Sequence, residues 1–199
     1  MKKIVFSMIA VATLLTAGAN HTEFIDVSWK AFKTANKLGV DGIFTYVTFS
    51  PKKNKAKDLH GLLLGAKISI DPLKIDTGNK ARDEKITSLF FAAMKGKTIE
   101  GEIVEIKVDT PKSGIFIAKI IMNAQEVLVP LRYYYEFKRK ELVATGYIDI
   151  FDFSANDALK SINKACYDLH QGKTWNDVNI EFRLKLNGYI VKGVKGLFG

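Results

Sequence analysis

The sequence is poor in the residue types that build disulfide frameworks, metal sites and catalytic centres. Cys166 is the one cysteine among 199 residues, so the chain cannot form an internal disulfide. The three histidines, His21, His60 and His170, form no H-x-x-x-H motif, and there is no C-x-x-C motif. A G-x-S-x-G elbow and a glycine-rich phosphate loop are also absent. These absences predict no catalytic residues, no metal ion and no other cofactor, and we expect a protein that is not an enzyme.

The first nineteen residues have the pattern of a secretory signal peptide. Lys2 and Lys3 precede an apolar run over residues 4–15, and residues 17–19 form a small-x-small cleavage site. The apolar run is shorter than the roughly 20 residues that a membrane-spanning helix needs. We therefore expect cleavage after residue 19, export, no stable membrane insertion afterwards, and one mature domain over residues 20–199. An uncleaved N-terminal anchor is the alternative.

The formal net charge of +9 is basic but not extreme. The lysines are scattered, and their densest run, at positions 52, 53, 55 and 57, is typical of a solvated hairpin tip. No nucleic-acid recognition motif accompanies this charge. We therefore expect no nucleic acid as a partner.

Apolar and polar residues alternate with a period of two through much of the chain. The pattern is clearest over residues 178–186, where one strand face is dry and the other is wet. About eight strands are predicted, which is typical of an antiparallel barrel or sandwich. Their ranges are 25–32, 42–49, 60–70, 98–108, 115–122, 127–137, 142–151 and 178–186.

Two segments depart from this alternation and predict helices. Residues 156–170 have apolar side chains three and four positions apart, with Cys166 on the dry face, Ser154 placed as an N-cap and Gly172 as a terminator. Residues 81–91 favour a second, shorter helix that only packing could hold in place. The fold class is thus predicted to be dominated by β-structure.

The aromatic content leaves two interpretations open. Thirteen phenylalanines, seven tyrosines and two tryptophans are present, many of them at alternating strand positions. They fit an ordinary β core, because aromatic residues favour strands. They equally fit a barrel of about eight strands that keeps room for one elongated apolar ligand.

Three stretches resemble the YceI family of secreted, lipocalin-like proteins. The stretch "IDTGNKARDEKITSLFF" (75–91) is similar to a family segment in which T-G-N, R-D, an aliphatic residue and a phenylalanine recur. The stretch "VSWKAFKTANKLGVDGIF" (27–44) looks like the opening strand pair, and "ATGYIDIFDF" (144–153) looks like a late strand. The resemblance covers essentially all of the mature chain.

This resemblance implies a fold, a ligand class and a location. The implied fold is an antiparallel eight-stranded lipocalin-like barrel with a short helical flap and one helix in the C-terminal half. Its tunnel would hold a long-chain amphiphile such as a polyisoprenoid, an isoprenoid quinone or a fatty-acid derivative. Family members are exported to the bacterial periplasm, carry no assigned catalytic residues and are often dimers, so a homodimer is one state left open.

The ligand-binding residues are predicted on this basis. The polar mouth would consist of Asn79, Arg82 and Asp83, although Arg82 and Asp83 could instead only pin the loop to neighbouring backbone. For a strand that is apolar on both sides, the sequence does not decide which face points inward, because a shift of one residue in the strand pairing exchanges the two faces. The predicted cavity lining is Trp29, Phe44, Ile68, Phe90, Phe91, Ile117, Tyr133, Tyr135, Phe151 and Phe182.

Three functions follow from these observations. The first is a periplasmic protein that binds and carries or sequesters a long-chain lipid. The second is an interaction or stress-related envelope module whose barrel is filled by its own side chains. The third, less favoured, is an enzyme acting on such a lipid, with His60, His170 or Asp152 as acid or base.

Overall fold

The computed structural model describes residues 24–53, 56 and 58–186, and the predicted signal peptide lies outside them. Within these residues, ten strands form one antiparallel sheet in the order β3-β4-β6-β7-β8-β9-β10-β1-β2-β5. The strands are β1 Ile25–Lys33, β2 Leu38–Phe44, β3 Val47–Ser50, β4 Lys67–Ile70, β5 Ile75–Asp76, β6 Ile99–Thr110, β7 Ser113–Met122, β8 Gln125–Glu136, β9 Glu141–Asp149 and β10 Asp177–Lys185.

Three α-helices accompany the sheet: α1 Leu59–Leu63, α2 Lys80–Lys85 and α3 Asn156–Ala165. A π-helical turn, Ile86–Phe90, and a short 3₁₀ turn, Phe91–Ala93, continue α2. The segment 77–94, which we call the flap, lies between β5 and β6. It packs against α3, so these elements form one helical cover beside the sheet.

The sheet curls around an apolar interior. Strands β3 and β5 lie at the two edges of the sheet. In the chain, two residues separate β3 from the end of β2, and four residues separate β5 from the end of β4. The Thr45 N–H donates to the Lys74 carbonyl at 2.7 Å, and the Asp71 N–H donates to the Tyr46 carbonyl at 3.2 Å. These two bonds join the segment between β2 and β3 to the segment between β4 and β5.

One half of the interior is filled by side chains. Leu142, Leu184 and Ile25 are paired in neighbouring strands, and all three are buried. The rings of Phe116 and Tyr133 stack 4.0 Å apart at an angle of 12°, a contact worth about 1 kcal/mol beyond its buried area. Burial, followed by the nearby charge of Asp109, raises the pKa of Tyr133 to about 12. This half is therefore a conventional packed core.

Helix α1 lies where a strand was predicted over residues 60–70, so that prediction is wrong for its first part. Asp58 caps the helix, because its Oδ1 accepts from the Gly61 N–H at 2.6 Å. Leu59, Leu62 and Leu63 are buried, with spacings of three and four residues. A short apolar run does not distinguish a strand from a buried helix, and here an aspartate cap decides between them.

The C-terminal helix is shorter than predicted. Helix α3 ends at Ala165 rather than at 170, and turns continue to Gly172, whose φ is +76°. Ala155 occupies the N-cap without a side-chain bond, so Ser154 does not cap this helix. The reason is local, because Ser154 itself has a φ of +52° in a turn that precedes the cap. The predicted helix over 81–91 is present, with Asn79 as its N-cap.

Candidate functional site

The other half of the interior is hollow. A cavity of about 410 Å³ lies between the sheet and the helical cover, which is within the size range of small-ligand sites. Strands β1, β2, β4, β6, β7, β9 and β10 contribute its sheet wall, and the flap and α3 contribute the cover. The cavity wall is overwhelmingly apolar.

Seven of the thirteen predicted site residues line this cavity. They are Trp29, Phe44, Phe90, Phe91 and Phe182 of the predicted lining, together with Asn79 and Arg82 of the predicted mouth. The ring of Phe91 contacts those of Phe90 and Phe44, with centroid distances of 5.1 and 6.0 Å. The two adjacent phenylalanines of the flap therefore reach the cavity wall. Their assignment to a ligand stays a prediction.

The other six predicted site residues do not line the cavity. Ile117 and the half-exposed Phe151 follow inward residues by one position, so they face outward. Tyr133, Tyr135 and Ile68 belong to the filled half of the core. Asp83 binds the flap backbone. For Ile117 and Phe151, the difference from the prediction is thus a shift of strand face.

Several lining residues were not predicted individually. Helix α3 and the turn after it contribute Leu159, Ile162, Cys166 and His170, and β9 contributes Ile148 and the turn residue Ile150. The sequence already indicated an apolar helix face that includes Leu159, Ile162 and Cys166. What the sequence did not reveal is that this face closes a cavity rather than a packed core.

Trp29 and Gly42 form a close contact in the wall. They are paired across β1 and β2, and a Cβ atom at Gly42 would lie 2.2 Å from Cζ2 of Trp29. Glycine is therefore required where the indole passes over the neighbouring strand. The Trp29 side chain is 9% exposed, and its N–H has no hydrogen-bond partner within the described part of the chain.

A compact hydrogen-bond network fixes the start of the flap. Asp83 Oδ1 accepts from the Thr77 N–H at 3.0 Å and from the Thr77 hydroxyl at 2.5 Å. Arg82 donates from Nε to the Thr77 hydroxyl at 2.9 Å and from Nη2 to the Thr77 carbonyl at 2.7 Å. Asn79 Oδ1 accepts from the Arg82 N–H at 3.1 Å. Asp83 thus holds the loop, whereas Arg82 holds the loop and also lines the cavity.

His170 is the one candidate acid or base that lines the cavity. His60 and Asp152 are exposed and lie elsewhere. The Thr174 hydroxyl donates to Asn163 Oδ1 at 2.8 Å, so it accepts at 2.7 Å from a protonated Nδ1 of His170. Burial, followed by the charges of Lys33 and Lys85, lowers the pKa of His170. The lowered pKa favours the neutral ring near pH 7.

Within residues 24–53, 56 and 58–186, no group of three or more His, Cys, Asp or Glu side chains is placed to hold a metal ion. In the same part of the chain, no helix has the length and apolar character needed to cross a membrane.

Solved structures of low sequence identity share the fold. BcnA from Burkholderia cenocepacia matches with a TM-score of 0.60 at 16% identity, over 80% of this chain and 94% of BcnA. A polyisoprenoid binding domain from Saccharophagus degradans, implicated in plant cell wall breakdown, matches with a TM-score of 0.58 at 11% identity, over 80% of this chain and 91% of that domain. The YceI protein of Campylobacter jejuni matches with a TM-score of 0.54 at 14% identity, over 91% of this chain and 95% of that protein.

No sequence among curated proteins matches this chain. A sequence profile of the YceI-like domain, in contrast, matches residues 16–186, which is most of the chain. The match includes all three stretches that resemble the family, residues 27–44, 75–91 and 144–153. The chain therefore belongs to the YceI family.

Proposed function

We propose that this protein binds a long-chain amphiphilic lipid in its cavity and carries or sequesters that lipid in the periplasm. The observation that carries the proposal is the apolar cavity of about 410 Å³ next to a packed half-core. A folded chain that packs one half of its interior closely gains nothing by leaving the other half empty. An apolar guest restores the missing contacts.

The energetics need no specific polar contact. Each buried methylene contributes about 0.8 kcal/mol, so ten methylenes contribute about 8 kcal/mol before the cost of association. Net binding in the micromolar range requires about 8 kcal/mol. A chain somewhat longer than ten carbons, or a few polar contacts, would supply the difference. The polyisoprenoid-binding neighbour supports a ligand of this class.

We also propose how the domain closes and where it works. Joining β2 to β3 and β4 to β5, as the chain does, would give a closed barrel of eight strands. The predicted signal peptide supports export and a periplasmic location, and the family match supports a binding protein rather than an enzyme. A homodimer stays a prediction.

The test is to identify what the native protein carries. Protein purified from its native host is extracted with organic solvent, and the extract is analysed by mass spectrometry. We expect a long-chain compound in an amount close to one per chain, and uptake of added isoprenoid or fatty amide by the extracted protein. An empty extract together with no uptake would contradict the proposal, and a filled-barrel interaction module would then be the better interpretation.

A further inference from the structure

Three cationic side chains line the cavity and have no carboxylate partner among the described residues. Lys33, Arg82 and Lys85 line the cavity, and all three are partly buried. None of them is within 4.0 Å of a carboxylate among the described residues, whereas Lys30, next to Lys33 on the opposite face of β1, pairs with Asp41 at 3.3 Å. The Asp83 carboxylate shares the Thr77 hydroxyl with Arg82, whereas Lys33 and Lys85 place positive charge beside an apolar space without such a neighbour in the described part of the chain.

The lining offers nothing to balance this charge. No aspartate or glutamate of the described chain lines the cavity. Asp83, although it follows Arg82, directs its Oδ1 to Thr77. The pKa of His170 is lowered by burial and by the charges of Lys33 and Lys85, so both ammonium groups act on the same wall. In a partly desolvated site such charges attract an anion more strongly than they do in water.

The cations come from two different elements of the cavity wall. Lys33 is the last residue of β1, where it bridges to Thr174, and Arg82 and Lys85 lie on α2 of the flap. Arg82 uses Nε and Nη2 to hold Thr77, which leaves Nη1 without a partner in the described chain. Trp29, Ile180 and Phe182 contribute apolar wall to the same cavity. A head group and a tail would thus meet different surfaces.

We propose that the cavity selects a single-chain amphiphile with an anionic head group, a carboxylate or a phosphate, held by Lys33, Lys85 and the free edge of Arg82. The inference rests on the proposed function, since it names the head group of the same ligand. The tail supplies the affinity through burial, and the head group supplies the selection. A neutral amide or alcohol of the same length leaves the two ammonium groups without a counter-ion.

The experiment compares head groups on one tail. The full-length mature protein, freed of lipid, is titrated by calorimetry with palmitate, hexadecyl phosphate, hexadecanamide and hexadecanol below their aggregation limits, at low and high salt. We expect one or both anions to bind about tenfold or more tightly than the neutral compounds, and this difference to shrink with salt. The tighter anion identifies the head group. Inorganic phosphate without a tail should not bind measurably.

Matched variants locate the effect. Lys33→Met and Lys85→Met should each weaken binding of the preferred anion by about tenfold and should affect binding of hexadecanol much less. Lys80→Met removes the same charge from an exposed position on the same helix, outside the lining, and should change neither. Circular dichroism checks that each variant is folded.

Three results would overturn the inference in different ways. Equal binding of all four compounds, insensitive to Lys33→Met and Lys85→Met, would reject the head-group selection and keep the lipid-binding function. No binding of any compound would reject both. Binding of inorganic phosphate as tightly as of hexadecyl phosphate would show a free-anion site and would also contradict the inference.

Discussion

At the scale of single residues, the pairing of Trp29 with Gly42 determines how wide the cavity can be. We expect Gly42→Ala to push the indole into the cavity and to lower the free energy of unfolding by about 1–3 kcal/mol, the usual cost of overpacking. Denaturant titration with tryptophan fluorescence measures both effects. Gly39→Ala is the control, because in the same strand its Cβ would meet only the flexible side chain of Lys30. If Gly42→Ala and Gly39→Ala lowered the free energy of unfolding equally, the result would contradict the close contact between Gly42 and Trp29.

His170 makes stability depend on pH. The pKa of His170 in the folded protein is lowered from about 6.5. As the pH falls, the unfolded chain therefore takes up a proton on this residue at a higher pH than the folded protein does. Its contribution to stability is therefore complete above pH 6.5 and is lost as the pH falls toward the pKa of the folded state. We expect the melting temperature of His170→Gln to fall less between pH 7.5 and 5 than that of the wild type.

The control for this prediction is His60→Gln. His60 is exposed on α1 and does not line the cavity, so its replacement should leave the pH dependence unchanged. A proton NMR titration reads the pKa of each ring directly. A value for His170 above 6.5 in the ligand-free protein would contradict the assigned environment.

At the scale of elements, the flap depends on one hydroxyl group. The Thr77 hydroxyl serves both Asp83 and Arg82, so Thr77→Val leaves a partly buried carboxylate and a guanidinium each short of a partner. We expect a loss of about 1–3 kcal/mol in stability. Hydrogen exchange should speed up through α2 and the π-helical turn, because the segment loses its anchor to the strand before it.

Thr87→Val is the matched control for this change. Its hydroxyl binds only the carbonyls of Asp83 and Glu84 within the same helical turn, a local bond that contributes little to stability. We expect its exchange rates to stay close to those of the wild type. If both threonine variants loosened the flap equally, the Thr77 network would not be its anchor.

The elements also show what a single sequence can reveal. Strand β7 alternates between buried and partly buried residues, and the middle of β8 alternates between buried and exposed residues, so their period of two predicted them. In β10 the apolar and polar residues alternate in sequence, although only Ile180 and Leu184 are fully buried. Helix α1 was missed because its leucines fit a strand as well as a helix until Asp58 is recognised as a cap. The N-cap role of Ser154 failed because its backbone φ of +52° is decided by a turn that no periodicity describes.

At the scale of the whole molecule, the division between filled and hollow halves was beyond sequence reasoning. Phe182 and Tyr133 both occupy inward strand positions, yet one lines the cavity and the other stacks on Phe116. Both residues pair with Ala144, so they lie in one cross-strand row that runs from the packed core at β8 to the cavity wall at β10. Which end of such a row faces the helical cover depends on how the sheet curls, and the period of two does not describe that. The family resemblance supplied the existence of a cavity, and the structure supplied its position.

The final prediction tests the cavity itself by filling it. Ala31 lies on β1 between Trp29 and Lys33 and lines the cavity, so Ala31→Phe would place a ring in the space assigned to the tail. Displacing about four methylenes costs about 3 kcal/mol of binding, which corresponds to a loss of more than a hundredfold in affinity. Calorimetry with the best-binding hexadecyl compound measures this loss.

The stability of the ligand-free protein should respond in the opposite direction. Because the ring fills space rather than displacing packed atoms, we expect the melting temperature of ligand-free Ala31→Phe to be equal to or above that of the wild type. Ala165→Phe adds the same ring at an exposed end of α3 and should change neither quantity. A strongly destabilised Ala31→Phe would indicate that the interior has no spare volume there, and unchanged binding in a stable Ala31→Phe would place the lipid somewhere other than this cavity.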